Sequence, residues 1–150
     1  MDTPHPTDQR ELALALHDLS WWLQRVGPIR AGVDLLSASE VAVLRTVIEH
    51  PGCRVSDVAD ALTMQVSNAS AAVRSLVASG RVVKQPDEHD RRVSLLHPTP
   101  LALADRDAVE GTVASSVNAA LSELTETGID ALRSALPAIR ELTAALAASR

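Results

Sequence analysis

Two short runs rich in β-formers, "RVVKQ" at 81–85 and "RVSLLH" at 92–97, stand in a chain whose other apolar residues recur at helical intervals. The polar stretch "PDEHDR" between them reads as the loop of a hairpin. A lone hairpin among helices restricts the fold to a helical body carrying one β-ribbon. It also sets a question, because Arg91 and Arg92 fall side by side at this turn. Arginines on an exposed loop usually meet water, but they can also meet phosphates or enter a DNA groove. The elements on either side decide which.

Upstream, residues 1–7, with Pro4 and Pro6, read as a frayed arm. From Asp8 a helical stripe of Leu12, Leu16, Leu19, Leu23 and Val26 follows, and Gly27-Pro28 is expected to close it. Leu14, His17 and Trp21 form a second stripe, so this helix should touch two surfaces. "LLSASEVAVLRTVIEHPG" has capping-box spacing from Ser37 to Glu40, then Val41, Leu44, Val47 and Ile48 at helical intervals, and stops at Pro51-Gly52. A short helix is expected next, with Ser56 as N-cap and Val58, Ala59 and Leu62 buried. A further helix spans roughly Gln65 to Ser79 and ends at Gly80. It buries Ala69, Val73 and Leu76, with Val66 and Val77 flanking, and presents Ser67, Asn68, Ala71, Arg74 and Ser75 outward.

Downstream of the hairpin, a long helix is expected from Leu101 to about Leu124, with Val109, Val113, Val117 and Leu121 on one stripe. Thr125 should cap a last helix, with Leu124 and Ile129 spaced as a hydrophobic staple. Its apolar face is Ile129, Leu132, Leu136, Ile139 and Leu146, and Pro137 should kink it.

Composition narrows the core and the compartment. With two Trp and neither Phe nor Tyr in 150 residues, alanine, leucine and valine must fill the interior, which suits close helix packing. Hydrophobic residues make up 46% and charged ones 22%, outside the range of a disordered chain. The single cysteine, Cys53, cannot form an internal disulfide, and no stretch reaches the length of a membrane span. The N-terminal "MDTPHPTDQR" is no secretory signal, so a soluble, cytoplasmic protein is expected. The net charge of −5 argues against nucleic acid until the chain is divided. Residues 64–100 hold five basic and three acidic residues, a net +2, and the rest holds 9 basic and 16 acidic, a net −7. The one net-positive segment contains the hairpin.

Helix, helix, short helix, helix, hairpin and two helices is the order of a winged helix-turn-helix with helical extensions at both ends, a mainly α fold with a small β wing. In such a unit the second helix of the turn motif enters the major groove. Asn68 or Gln65 can then pair with adenine, and Arg74 can reach phosphate or guanine. The expected division is an N-terminal arm and dimerisation helix over 1–34, a DNA-binding lobe over 35–98, and C-terminal dimerisation helices over 99–150.

The stretches "LSASEVAVLRTVIEHPGCRVSDVADAL", "VRSLVASGRVVKQPD" and above all "DEHDRRVSLLHPTP" resemble the MarR family of bacterial transcription regulators. The most specific part is the wing, where Asp90, Arg91 and Arg92 lie between two short strands and ahead of a Thr-Pro helix start. The resemblance implies that Arg92 enters the minor groove, where narrow walls concentrate negative potential, and that Asp90 supports the wing. It implies a homodimer on a palindromic duplex DNA operator, most simply a repressor, with a small aromatic or phenolic ligand as partner. The candidate DNA-binding set is Gln65, Ser67, Asn68, Ser70, Arg74, Arg91 and Arg92. The chain departs from the family pattern at Gln65 and Ala71, where the family often has Ser and Arg, and at Ala102, where glycine is frequent.

Leu12, Leu16, Ile129, Leu132, Leu136 and Ile139 are the candidate dimer contacts, because their stripes exceed what one small lobe can bury. Consecutive Trp21 and Trp22 project about 100° apart on a helix. One is expected in the core and the other at an interface or cleft, so that with His17 they form a candidate ligand pocket, although plain packing is the simpler reading. Some members of the family sense oxidants through cysteine, but nearer the first helix than Cys53, which reads as a small packing residue. His50 and Cys53 lack zinc-type spacing with the scattered His5, His17, His89 and His97. No phosphate loop, nucleophile motif or paired carboxylates call for an enzyme or a cofactor. The reading from another class is a winged helix that binds protein and has lost DNA, which the acidic body and the sparse recognition helix allow.

Overall fold

The structure, a computed structural model, describes residues 6–148, with the side chains of Pro6, Thr7 and Val26 excepted. Most of the arm expected over 1–7 thus lies outside the described residues, and Pro6 already opens the first helix. The elements are α1 (Pro6–Ala31), α2 (Ala38–Glu49), α3 (Val55–Ala61), α4 (Val66–Ala78), β1 (Val82–Pro86), β2 (Ser94–Pro98), α5 (Pro100–Leu121) and α6 (Glu126–Ala148).

Local chemistry explains most boundaries. Ser37 and Glu40 close a full capping box at the start of α2, with Ser37 N–H donating to Glu40 Oε2 at 2.7 Å and Glu40 N–H to Ser37 Oγ at 3.3 Å. Thr99 Oγ1 accepts from Ala102 N–H at the start of α5, and Thr125 Oγ1 accepts from Gly128 N–H at the start of α6. At the end of α4, Gly80 takes φ +73, its N–H reaches Val77 O, and Arg81 N–H reaches Leu76 O. A side chain at Gly80 would resist that left-handed turn.

Two expectations about boundaries are corrected. α1 does not close at Gly27-Pro28 but runs to Ala31, and the helix-ending pair of bonds sits at Gly32 and Val33. Gly27 serves packing instead. It is buried against α5, and a Cβ there would lie 2.8 Å from Val113 Cγ2. The N-cap of α3 is Arg54, not Ser56, because Asp57 at the third helical position accepts the Arg54 N–H at 2.8 Å. α6 runs across Pro137 as one helix.

The core lies within the lobe formed by α2, α3, α4 and the hairpin, capped by the start of α5. Val43, Val47, Val58, Val73, Leu76, Val82 and Leu96 are sealed from solvent, and Ala102 of α5 plugs the same cluster. No aromatic ring takes part. Burying Val73 and Leu76 contributes roughly 2 kcal/mol each and pins α4 by one face. β1 and β2 pair antiparallel with Lys84 opposite Leu96, and Cys53 adds a single bridge on the far side of β2. Gly52 N–H to Leu96 O and Leu96 N–H to Cys53 O, both 2.8 Å, tie the wing's base to the end of α2. α1 packs along α5, while α6 buries no side chain in the protomer.

Candidate nucleic-acid interface

α3, a turn and α4 form the helix-turn-helix. The turn is tight: Thr63 adopts φ +51, unusual for a β-branched residue, and Met64 N–H closes onto Ala59 O at 2.8 Å. This sets the angle at which α4 leaves. Ala69, Val73 and Leu76 face the core, so Ser67, Asn68, Ala71 and Arg74 are turned outward, as expected. Gln65 is exposed at the N-cap, and its carbonyl receives Asn68 N–H at 2.9 Å and Ala69 N–H at 3.1 Å. Ser70 is only half-exposed, on the flank with Val66 and Val77, so it sits at the edge of the outward face. Ser75 is engaged from behind. Its hydroxyl, with the capping bonds at Ser37, holds the Glu40 carboxyl below the usual glutamate range.

The wing tip is held by carboxylates. Asp90 Oδ1 accepts Arg92 N–H at 3.0 Å, and Val93 N–H returns to Asp90 O at 2.9 Å, a local side-chain turn of the kind aspartate favours. Asp87 contributes a second support that the sequence reading missed. Its Oδ1 accepts His89 N–H at 2.8 Å and Asp90 N–H at 3.4 Å, and its own N–H reaches Val93 O at 3.0 Å. Those N–H donors, His89 first and Asp90 second, lower the Asp87 pKa. An aspartate just after the first β-run and ahead of further turn residues was the available signal. Arg91 and Arg92 project into solvent, and among the described residues no carboxylate forms an ion pair with either, or with Arg74.

Arg81, one of the five basic residues in 64–100, does not face outward. It is 5% exposed, and its Nη2 lies 2.9 Å from Asp105 of α5 and 3.3 Å from Asp34 of the α1–α2 linker. Two acids thus already surround its charge. The cations turned outward from 64–100 are Arg74, Lys84, Arg91 and Arg92.

The tryptophan expectation is corrected as well. Neither ring is in a core: Trp21 is 49% and Trp22 59% exposed. They meet edge to face at 5.1 Å, with the Arg25 guanidinium 5.5 Å from the Trp21 centroid. His17 is exposed on the same helix. An open groove of about 590 Å³ lies elsewhere, between the end of α1 and α5, lined by Arg30, Gly111, Thr112, Ser115 and Ser116 among others. His17, Trp21 and Trp22 do not line it. Leu12, Leu132, Leu136 and Ile139 are exposed, and Leu16 and Ile129 half-buried. Among the described residues no group of three His, Cys, Asp or Glu side chains is placed to hold a metal, and no helix is long and apolar enough to cross a membrane.

A short helix, a tight turn, a helix presenting a polar face, and a β-hairpin beside it define the winged helix-turn-helix class. The order seen in the sequence is the order in space. Residues 35–93 match the model of the MarR family, so this winged-helix lobe is similar to the members of that family. No curated protein matches the sequence.

Solved structures share the whole chain's fold at low identity. RV1404 from Mycobacterium tuberculosis superposes with a TM-score of 0.80 at 16% identity, over 94% of this chain and 96% of that one. FabT of Streptococcus pneumoniae, in complex with DNA, gives 0.69 at 16% identity, over 95% and 99%. A MepR variant of S. aureus bound to an oligodeoxyribonucleotide gives 0.69 at 15%, over 93% and 99%.

Proposed function

We propose that the protein is a homodimeric, sequence-specific DNA-binding repressor of transcription, relieved by a small ligand. The observation that carries this reading is the pairing of an outward polar face on α4 with a braced wing tip whose two arginines have no acidic partner among the described residues. Each protomer lays α4 in a major groove, where Gln65, Ser67, Asn68 and Ser70 face base edges and Arg74 reaches phosphate or guanine. Arg92 enters the adjacent minor groove with Arg91 beside it, and Asp90 with Asp87 holds the loop. FabT and the MepR variant, each solved with DNA bound, support this placement by analogy of fold.

The dimer rests on α1 and α6. Leu132, Leu136, Ile139, Leu142 and Leu146 leave α6 with an uncovered apolar face, and Leu12, Leu14, Leu19, Trp21 and Trp22 do the same for α1. A second copy covering both faces by a two-fold axis removes that surface from water and sets two α4 helices about one DNA turn apart. Residues 1–34 and 99–150 then serve dimerisation, and 35–98 serves DNA. In this arrangement His17, Trp21 and Trp22 flank the dimer contact, and an aromatic or phenolic ligand seated there releases DNA by changing the separation of the α4 helices.

The test is binding to duplexes selected from genomic fragments, measured across salt for the wild type and for Arg92→Ala. The wild type should lose on the order of tenfold to a thousandfold in affinity over a few-fold rise in salt. Arg92→Ala should bind roughly tenfold to a hundredfold more weakly at fixed salt and unfold like the wild type. A protein that selects no duplex, or that binds equally well without Arg92, is instead the protein-interaction module.

A further inference from the structure

We propose that Arg81 is a positioning residue for DNA recognition: the guanidinium clamp of Arg81 on Asp105 and Asp34 sets the angle between α4 and α5, and thereby the spacing of the two recognition helices. The inference rests on the DNA-binding reading above and adds to it a residue that touches no DNA.

Arg81 is the only buried charged residue among those described. Its backbone belongs to the end of α4, since its N–H bonds Leu76 O and its carbonyl accepts Thr99 N–H at 3.0 Å. Its side chain leaves the lobe. Nε donates to Asp105 Oδ2 at 2.9 Å, on the second turn of α5, and Nη2 bonds Asp34 at 3.3 Å. One planar group therefore joins the recognition helix, the helix expected to run to the dimer, and the linker that leaves α1.

The other links are backbone bonds and apolar contacts: Ala102 enters the core, Leu36 of the linker packs against it, and Thr99 Oγ1 donates to Gly80 O at 2.7 Å. Methyl groups resist separation but allow sliding, whereas a guanidinium fork on a carboxylate fixes direction as well as distance. Stability alone does not account for a charge here. Desolvating an arginine is costly, and an apolar residue of similar volume in such a site often folds as well or better. What the ion pair adds is one orientation.

In a dimer on a palindrome the second half-site is bound intramolecularly, and that advantage exists only when both recognition helices fit together. A loosened α4–α5 angle should leave each half-site contact intact while weakening their joint engagement. A lobe that is merely destabilised would weaken both.

The experiment uses the full chain and the palindromic duplex recovered from a random-sequence duplex pool. Two further probes are that duplex with one base pair inserted at its centre, and a duplex carrying a single half-site. For the wild type, one inserted base pair should lower affinity by about tenfold or more. Arg81→Met should bind the single half-site within about threefold of the wild type and the full palindrome roughly tenfold to a hundredfold more weakly, and should lose most of the insertion penalty. Arg81→Lys, with one charged centre in place of the fork, should fall between.

Asp34→Asn alters an exposed carboxylate and tests the clamp even if Arg81→Met does not fold. A partial loss of the insertion penalty is expected. An unchanged full-to-half-site ratio in a folded Arg81→Met, or an unchanged insertion penalty in Asp34→Asn when Arg81→Met is unfolded, overturns the positioning role. So does an equal loss on half-site and palindrome accompanied by a lower melting temperature. A wild type that recovers no duplex overturns the DNA-binding reading itself, and this inference with it.

Discussion

Replacing Gly27 by alanine pits two opposed effects of similar size against each other, and the structure says which one wins. Alanine in a helix interior is favoured over glycine by roughly 0.5–1 kcal/mol. At Gly27 the new methyl would sit 2.8 Å from Val113 Cγ2 and 3.1 Å from Val109 Cγ1. Both neighbours are valines, whose χ1 is stiff, so the strain falls on the α1–α5 separation and not on a flexible side-chain tip. Overpacking of this kind costs about 1–3 kcal/mol, which exceeds the helical gain.

Gly27→Ala should therefore destabilise by about 1 kcal/mol net in the wild-type background. In Val113→Ala, which is itself weakened by lost packing, the closest contact is gone and only the 3.1 Å approach to Val109 remains. There the same substitution should be neutral or stabilising, giving a coupling of about 1–2 kcal/mol. Urea unfolding of the four proteins at one protein concentration measures this, since the stability of the proposed dimer would depend on concentration. A Gly27→Ala variant that stabilises the wild type, or that costs as much beside Ala as beside Val at 113, would refute the close-packing argument.

The wing and the thiol give two further tests. Asp87 has a lowered pKa because the folded loop donates N–H bonds to its carboxylate, so its contribution is complete above the ordinary aspartate value and lost as pH falls through the folded one. The side-chain carboxyl carbon resonance of Asp87 should titrate with a midpoint below the ordinary aspartate value; a midpoint at or above that value would show that the bonds do not form. Burial raises the Cys53 pKa, and the negative charge of Asp57 adds to the shift. A thiol-disulfide reagent should react with the native protein far more slowly than with the urea-unfolded chain near pH 8, and rapid native labelling at pH 7 would contradict that.

What a single chain segment decides locally could be read without the fold. Ser37 and Glu40, Thr99, Thr125 and Gly80 are helix signals whose partners lie within five residues, and each acts where the sequence placed it. The outward face of α4 followed from the spacing of Ala69, Val73 and Leu76 alone. The wing was legible for the same reason, since Asp90 bonds a backbone group two residues away.

Apart from the N-cap of α3, which Asp57 three residues on decides, the readings that failed had their deciding partner distant in the chain. Gly27-Pro28 looked like a helix stop because nothing nearby reveals Val109 and Val113, whose closeness makes Gly27 a packing residue. Arg81 could be read from sequence only as one of five basic residues in 64–100, because Asp34 and Asp105 are brought to it only by folding. One of Trp21 and Trp22 was expected in the core on hydrophobicity, yet both rings are exposed in the protomer. Periodicity and capping are short-range and survive in a linear string; burial, close approach and charge pairing depend on which segments meet, and only the tertiary structure decided those.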